Sequence, residues 1–183
     1  MKRALILVAE GFQDEEFIYP YYRMLEEGWE VTVAARNKDV RGKFGVPPRA
    51  SLTFDHLNGF AQTDVLFIPG GFESPDRMRE HKMVQIIVRD MNARGCTIGA
   101  ICHGASVLIS AGIVRGRRVT GYSAIKPDLI NAGGIVNEMP QAVEVDGNLV
   151  TGDHYASNAP FMRALIQVEN TKNGWREQHA SNF

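Results

Sequence analysis

The sequence predicts an α/β fold, a three-layer sandwich in which a mostly parallel central sheet lies between two layers of helices. Short apolar runs, typical of strands buried in a parallel sheet, alternate along the chain with segments of helical periodicity. Strands that alternate with helices pair in parallel through right-handed crossovers. Functional groups of such sheets collect at the carboxyl ends of the strands, so we expect a functional site at that edge.

The first half of the chain contains three predicted strands and one predicted helix. We expect the strands at 3–8, 30–36 and 64–71, since each is a short apolar run bounded by turn residues. A helix is predicted over 14–28, where apolar residues recur at helical spacing. The glycines and prolines of 42–57 predict a loop or a small hairpin.

The second half continues this alternation and ends in a segment of another kind. We expect a single domain over 1–170, followed by a tail at 171–183 that shows no helical periodicity. The predicted elements are a helix at 81–95, a strand at 96–101, a helix at 103–112, a strand at 117–122, a helix at 125–134, a hairpin at 142–152 and a helix at 159–170.

Composition and charge exclude several classes of partner. The 183 residues carry a formal net charge of -1, and no block of like charges points to nucleic acid or to a membrane surface. No segment approaches the roughly 20 apolar residues of a membrane span, and the first apolar run is too short for a signal peptide. We therefore expect a cytoplasmic protein. Its two cysteines match neither a disulfide framework nor a metal motif, and no metal or cofactor is expected.

Cys102 lies at the predicted joint between the fourth strand and the next helix. A tight turn there lifts a side chain clear of the sheet, and the amides at the start of a helix favour a thiolate by lowering the pKa of the thiol. The adjacent His103 could act as base, acid or cation. These residues alone leave open a second interpretation, in which Cys102 is a small buried residue at a turn.

Acidic residues and glycines are expected at the same edge of the sheet. A carboxyl group at Glu16 could reach the sulfur and move a proton, whereas we interpret Asp14 and Glu15 as a solvated first helical turn. Gly70 and Gly71 allow a close backbone approach, and an amide there could stabilise an oxyanion.

Two further polar residues are candidates for the site. Asp76 could orient an imidazole as the third member of a triad, but residues 74–76 also read as an ordinary helix cap. His154 follows a predicted strand and could enter a pocket.

The segment "AICHGASVLISAG" resembles the nucleophile segment of the ThiJ/PfpI family, within the class I glutamine amidotransferase-like superfamily. The segments "GFQDEEFIYPYYRMLEEGWEV", "FIPGG" and "SPDRMR" extend the resemblance from Arg3 to about Val168. It implies a flavodoxin-like sandwich, and it is strongest for the PfpI branch, whose members are described as peptidases, glyoxalases or protein deglycases.

The resemblance assigns a role to each matching residue. It implies that Cys102 is the nucleophile, that Glu16 hydrogen-bonds the thiol, and that His103 takes part beside it. The backbone amides of Gly71 and His103 would form the oxyanion-binding pair, and Tyr122 matches a tyrosine near the site.

The resemblance also implies an assembly. Asp76 matches an acid that, in the PfpI branch, reaches a histidine of a neighbouring subunit, so we expect a homo-oligomer, a dimer or a hexamer. Two departures from the family pattern stand out. The loop "PGGFESPD" is one residue longer, and Asp153, just before His154, replaces a basic residue at the pocket rim, which puts anionic substrates in doubt.

Together these observations predict a cysteine-dependent hydrolase or lyase that acts on small carbonyl compounds or their protein adducts, for example converting methylglyoxal to lactate. One alternative is an intracellular cysteine peptidase or amidase. Another is a redox-sensing, stress-protective protein without turnover, since a thiolate beside a carboxyl group is prone to oxidation. A glutamine amidotransferase is disfavoured because no acid follows His154 by two residues.

Overall fold

A seven-stranded sheet forms the centre of the computed structural model, which describes residues 1–57, 60–139 and 141–179. The strand order is β3-β2-β1-β4-β5-β7-β6, and every neighbouring pair is parallel except β6 and β7. The strands are β1 (Arg3–Val8), β2 (Glu30–Ala35), β3 (Leu52–Thr53), β4 (Val65–Ile68), β5 (Thr97–Ile101), β6 (Val143–Asp146) and β7 (Leu149–Gly152).

Helices cover both faces of this sheet, which confirms the predicted three-layer α/β class. Successive strand residues serve opposite layers: Leu5 belongs to one apolar cluster and Ile6 to the other, and Leu66 and Phe67 divide in the same way. The helices are α1 (Asp14–Glu26), α2 (Glu73–Arg79), α3 (Lys82–Ala93), α4 (Ala105–Ser110), α5 (Lys126–Asn131) and α6 (Asn158–His179).

The strand predicted at 117–122 is wrong. Within this segment the only β-bridge is an isolated one between Arg118 and Ile135, in which the amide of Val119 donates to Ile135 and the amide of Ile135 donates to Arg117. The position beside β5 belongs to β7 instead, and the amide of Thr120 donates to the side-chain oxygen of Thr151 at 2.9 Å. The segment therefore runs along β7 through a side-chain contact, and it makes no backbone ladder.

Two other segments carry more structure than the sequence predicted. The region 42–57, expected as a loop or hairpin, contributes β3, a two-residue strand that pairs in parallel with β2 at the sheet edge. The last helix was expected to end at 170, but α6 continues to His179, so most of the predicted tail is helical. Residues 180–183 lie outside the described residues.

Ser74 does not cap a helix, in contrast to the interpretation of 74–76 as a cap. Helix α2 already begins at Glu73, and the Ser74 side chain is fully buried. Its hydroxyl oxygen accepts the amide of Ala9 at 2.9 Å, just beyond the end of β1. This contact ties the loop after β1 to α2.

Replacing Ser74 with alanine is expected to lower the free energy of unfolding by about 1–3 kcal/mol, because it leaves the buried Ala9 amide without its acceptor. Urea unfolding measures the loss. The matched control is Ser123→Ala at an exposed position, which we expect to change stability by no more than about 0.5 kcal/mol. Equal stabilities of the two variants would contradict the prediction.

Candidate active site

Cys102 lies on a sharp turn between β5 and α4. Its φ is +59°, a left-handed backbone conformation that residues other than glycine rarely adopt. A 3-10 turn, Cys102–Gly104, leads into α4, and a side chain at Gly104 would lie 2.5 Å from the carbonyl oxygen of Ile68. The glycine therefore lets the turn pack against the end of β4. The geometry is that of a nucleophile elbow, as the sequence predicted.

Glu16 lies beneath the thiol and is fully buried. One carboxylate oxygen accepts the amide of Gly70 at 2.7 Å. Burial raises the pKa of Glu16 to about 7, although hydrogen bonds from the Gly70 amide and from the thiol of Cys102 oppose this rise. The group therefore changes protonation near neutral pH, which suits an acid or base in catalysis.

Burial also raises the pKa of the Cys102 thiol, and the negative charge of Glu16 raises it further. The amides of His103 and Gly71 donate to the sulfur and act in the opposite direction, but they do not offset burial. The expected lowering of this pKa by a helix start is therefore wrong: α4 has only six residues and begins three positions later, at Ala105. Because the two acids face each other, they titrate as a pair, and a thiolate is favoured when Glu16 holds the proton.

His103 is placed to exchange a proton with the thiol. Its Nδ1 lies 3.4 Å from the Sγ of Cys102. Burial lowers the pKa of His103, while the charge of Asp76 in the same chain raises it by less. The imidazole is consequently neutral at pH 7 and is available as a base.

Asp76 itself lies outside the cleft. Its side chain is 74% exposed, and a carboxylate oxygen lies 3.9 Å from a guanidinium nitrogen of Arg79. Its influence on His103 is therefore electrostatic in this chain.

The thiol opens into a cleft of about 250 Å³. Six of the predicted site residues line it: Glu16, Gly71, Cys102, His103, Tyr122 and His154. One wall is aromatic, since the ring of Tyr122 stacks on His103 with centroids 4.7 Å apart and faces His154 at 6.0 Å. The Nδ1 of His154 accepts the amide of Ala156 at 3.4 Å, which fixes the ring at the start of a short turn.

Sequence reasoning missed six further residues that line the cleft. The residues that it did not predict there are Gln13, Glu15, Lys43, Phe44, Phe72 and Tyr155. Asp14 explains part of this omission: it is 3% exposed, and its carboxylate accepts the amides of Phe44 and Val46, so it does not belong to a solvated helical turn. The glycines that flank the "GKFG" turn were the available signal for a tight turn at this place.

Position 70 has no room for a side chain, because it lies between Cys102, Glu16 and His103. A Cβ atom at this position would lie 2.7 Å from the Cβ of Cys102, 2.7 Å from a carboxylate oxygen of Glu16 and 2.9 Å from the amide nitrogen of His103. The glycine therefore permits the thiol, the carboxylate and the backbone amide of His103 to converge.

A Gly70→Ala variant is expected to lose activity by about 10²-fold or more, because the added methyl group must displace the thiol or the acid by a sizeable fraction of an ångström. Steady-state turnover measures this effect. The control is Gly28→Ala, whose Cβ would meet open space. Because φ is +73° at this position, we expect the substitution to lower stability but to leave turnover unchanged. Full activity of the Gly70 variant would show that the packing is not needed.

The described residues contain neither a metal-binding cluster nor a membrane-spanning helix. Within 1–57, 60–139 and 141–179, no three or more His, Cys, Asp or Glu side chains are grouped so that they could hold a metal ion. In the same residues, no helix combines the length and apolar character needed to cross a membrane.

A mostly parallel α/β sheet with a strained cysteine at a strand-to-helix turn and a buried glutamate beneath it defines an α/β protein with a cysteine at a nucleophile-elbow turn. The DJ-1/PfpI family model matches residues 2–168. The chain therefore belongs to the DJ-1/PfpI family, which confirms the resemblance found in its sequence.

Named relatives specify the branch of this family. The chain is 44% identical over 168 residues to a deglycase of Pyrococcus abyssi, covering 89% of this chain and 99% of that protein. It is 41% identical to the deglycase PfpI of Pyrococcus furiosus, covering 91% and 98%. A crystal structure of a two-domain Anabaena variabilis protein, with DJ-1/ThiJ/PfpI-like and ferritin-like domains, superposes with a TM-score of 0.86 at 32% identity, covering 91% of this chain and 48% of that one. These relatives confirm the prediction of an enzyme of the PfpI type.

Proposed function

We propose that this chain is a cysteine-dependent deglycase that removes small dicarbonyl groups, such as methylglyoxal, from amines and thiols and releases them as a hydroxy acid. The observation that carries the proposal is the elbow thiol of Cys102, which has two amide donors on the sulfur and the titratable Glu16 beneath it. The deglycase names of the archaeal relatives agree with it.

In the first step, the sulfur of Cys102 bonds to the aldehyde-derived carbon. With free methylglyoxal the product is a hemithioacetal, and with an adduct the amine or thiol carrier leaves from the same carbon with a proton. Neutral His103 takes the thiol proton as the C–S bond forms, since its Nδ1 faces the sulfur. The amides of Gly71 and His103 stabilise the oxygen that becomes negative.

In the second step, a proton moves from the sulfur-bearing carbon to the neighbouring carbonyl carbon. This isomerisation turns the hemithioacetal into a thioester of lactate, with no oxidant or reductant needed. Glu16 is suited to carry the proton because its pKa of about 7 lets it accept and return a proton at neutral pH. Water then cleaves the C–S bond, which yields lactate, a proton and the free thiol.

The size of the cleft supports a small substrate. A volume of about 250 Å³ accommodates a three-carbon group on its carrier, and it lies below the range of about 300–1,000 Å³ typical of drug-sized ligands. We therefore favour a small carbonyl compound over an extended peptide.

Assembly stays a prediction from the sequence. We propose a homo-oligomer in which the exposed carboxylate of Asp76 reaches His103 of a neighbouring subunit. The same carboxylate also acts electrostatically on His103 of its own chain. Sedimentation equilibrium of the wild type and of Asp76→Asn tests it; a monomeric wild type would exclude it.

The deciding experiment follows both products of one reaction. The chain is incubated with the methylglyoxal adduct of an N-acetylated amino acid, and lactate and the free amino acid are measured over many turnovers. Equal amounts of both, formed in proportion to protein, are expected. Release of the amino acid at the rate seen in buffer, without lactate, would overturn the proposal. Stoichiometric oxidation of Cys102 by peroxide, with no turnover of the adduct, would indicate the redox-sensing alternative.

A further inference from the structure

A tight turn at 42–46 forms one edge of the cleft and is held in place by several hydrogen bonds. The amide of Lys43 donates to the carbonyl oxygen of Phe12 at 2.8 Å, and the amide of Gly42 donates to that of Val46 at 2.9 Å. The two oxygens of the buried Asp14 carboxylate accept the amides of Phe44 and Val46 at 2.9 and 3.0 Å.

Asp14 also requires a glycine at position 42. A Cβ atom on Gly42 would lie 2.5 Å from one Asp14 oxygen and 2.7 Å from the other. The buried carboxylate therefore packs closely against the turn and holds it in a fixed position at the edge of the cleft.

The turn presents Lys43 at the mouth of the cleft that contains Cys102. Its ammonium group lies 5.3 Å from the ring centroid of Phe44, a cation–π contact that keeps the side chain near the turn. Among the described residues that line the cleft, Lys43 is the only lysine or arginine, and the acids beside it are Glu15 and Glu16.

We propose that Lys43 is an anion-binding residue of this cleft, and that the site binds 2-oxo acids such as pyruvate, in which a carboxylate lies beside the carbonyl group, as ligands that are not converted, because their ketone carbon lacks the hydrogen that the proposed isomerisation moves. The same ammonium group binds the carboxylate of the hydroxy acid product. Asp14 acts as a positioning residue, because it holds the turn and touches no substrate. The inference deepens the proposed function and rests on the same cleft.

This placement accounts for a departure noted in the sequence. Asp153 occupies the rim position where the family pattern carries a basic residue, which argued against anionic substrates. Lys43 supplies a positive charge from the loop that follows β2, whereas Asp153 follows β7. The cleft thereby keeps a cation although its usual position has an acid.

The test compares two alkylating reagents of similar size, anionic iodoacetate and neutral iodoacetamide. The rate of Cys102 modification by each is followed by peptide mass spectrometry, and the ratio of the two rates reports the local charge. In Lys43→Gln we expect the iodoacetate-to-iodoacetamide ratio to fall by about two- to fivefold at low salt, and the difference from wild type to vanish at about 1 M salt. Lys38→Gln, at an exposed position outside the cleft, is the matched control. A ratio unchanged in the Lys43 variant would overturn the proposal.

Asp14→Asn tests whether Asp14 acts by positioning the turn, because loss of its charge and loss of its hydrogen bonds would change the rate ratio in opposite directions. Removing a negative charge alone would raise the ratio, whereas loosening the turn moves the ammonium group away and lowers it. We expect the ratio to fall, and a rise would exclude Asp14 as a positioning residue.

Pyruvate serves as the 2-oxo acid probe, through its protection of Cys102 from iodoacetamide. Half-protection is expected to need about two- to fivefold more pyruvate in Lys43→Gln than in wild type. Absence of protection in the wild type would overturn the assignment of the ligand class. These readouts need no turnover, so they stand even if no lactate is formed from the glycated amino acid.

Discussion

Replacing Cys102 with alanine is expected to reduce lactate formation by about 10³-fold or more, because the proposed mechanism passes through a bond to this sulfur. Alanine keeps the small volume at the elbow, and it is strained there much as cysteine is, since φ is +59°. The loss is therefore expected in turnover and not in folding, and circular dichroism together with the turnover assay separates the two.

The second cysteine of the chain provides a matched control. Cys96 is also nearly buried, but it lies before β5, at the other end of the strand from Cys102, and its thiol donates to the carbonyl oxygen of Thr63 at 3.3 Å. Cys96→Ala is expected to keep wild-type turnover. If Cys102→Ala also kept it, the covalent mechanism would be wrong.

Glu16→Gln is expected to lower turnover by about 10²- to 10⁴-fold, because glutamine keeps the shape of the side chain but cannot carry a proton between the two carbons. The pH profile is the more specific measurement. The wild-type profile should contain an ionisation near pH 7, where the buried carboxyl group titrates, and this ionisation should be absent from the residual activity of the variant.

The same variant changes the pH dependence of stability. Burial raises the pKa of Glu16 from 4.5 to about 7, so the folded state holds a proton that the unfolded state has lost over this interval. The contribution of Glu16 is greatest below pH 4.5 and is lost as the pH rises through 7, by roughly 3 kcal/mol. Relative to the wild type, Glu16→Gln should therefore gain stability between pH 4.5 and pH 8.

Urea unfolding at several pH values checks this gain. The exposed Glu138→Gln serves as the control, and it should track the wild type at every pH. A constant stability difference between Glu16→Gln and the wild type would show that this carboxyl group does not titrate as proposed.

Chain order alone was sufficient to bring Glu16, the glycine pair and Cys102 together. Each follows a strand of one parallel sheet, and the carboxyl ends of parallel strands meet at one edge. Local patterns could not predict what depends on tertiary neighbours. The segment 117–122 has the residues of a strand, but the place beside β5 is taken by the later hairpin.

Burial was the main quantity that the sequence could not supply. The direction of the Cys102 pKa was predicted from the helix start alone, whereas its enclosure and the facing carboxylate decide the sign. Asp14 was interpreted as solvated for the same reason, since its partners are amides about 30 residues away. The contribution of Lys43 depends on that long-range contact and was missed with it.

The acidic start of α1 has a consequence for how this sequence can vary. Three adjacent residues, Asp14, Glu15 and Glu16, point in different directions because successive helix positions are about 100° apart. The first holds the turn at 42–46, the second faces the open cleft, and the third lies under the sulfur. The three acidic residues of this run therefore meet three separate structural requirements, and we expect an exchange of Asp for Glu within it to disturb the contact of the residue that is changed.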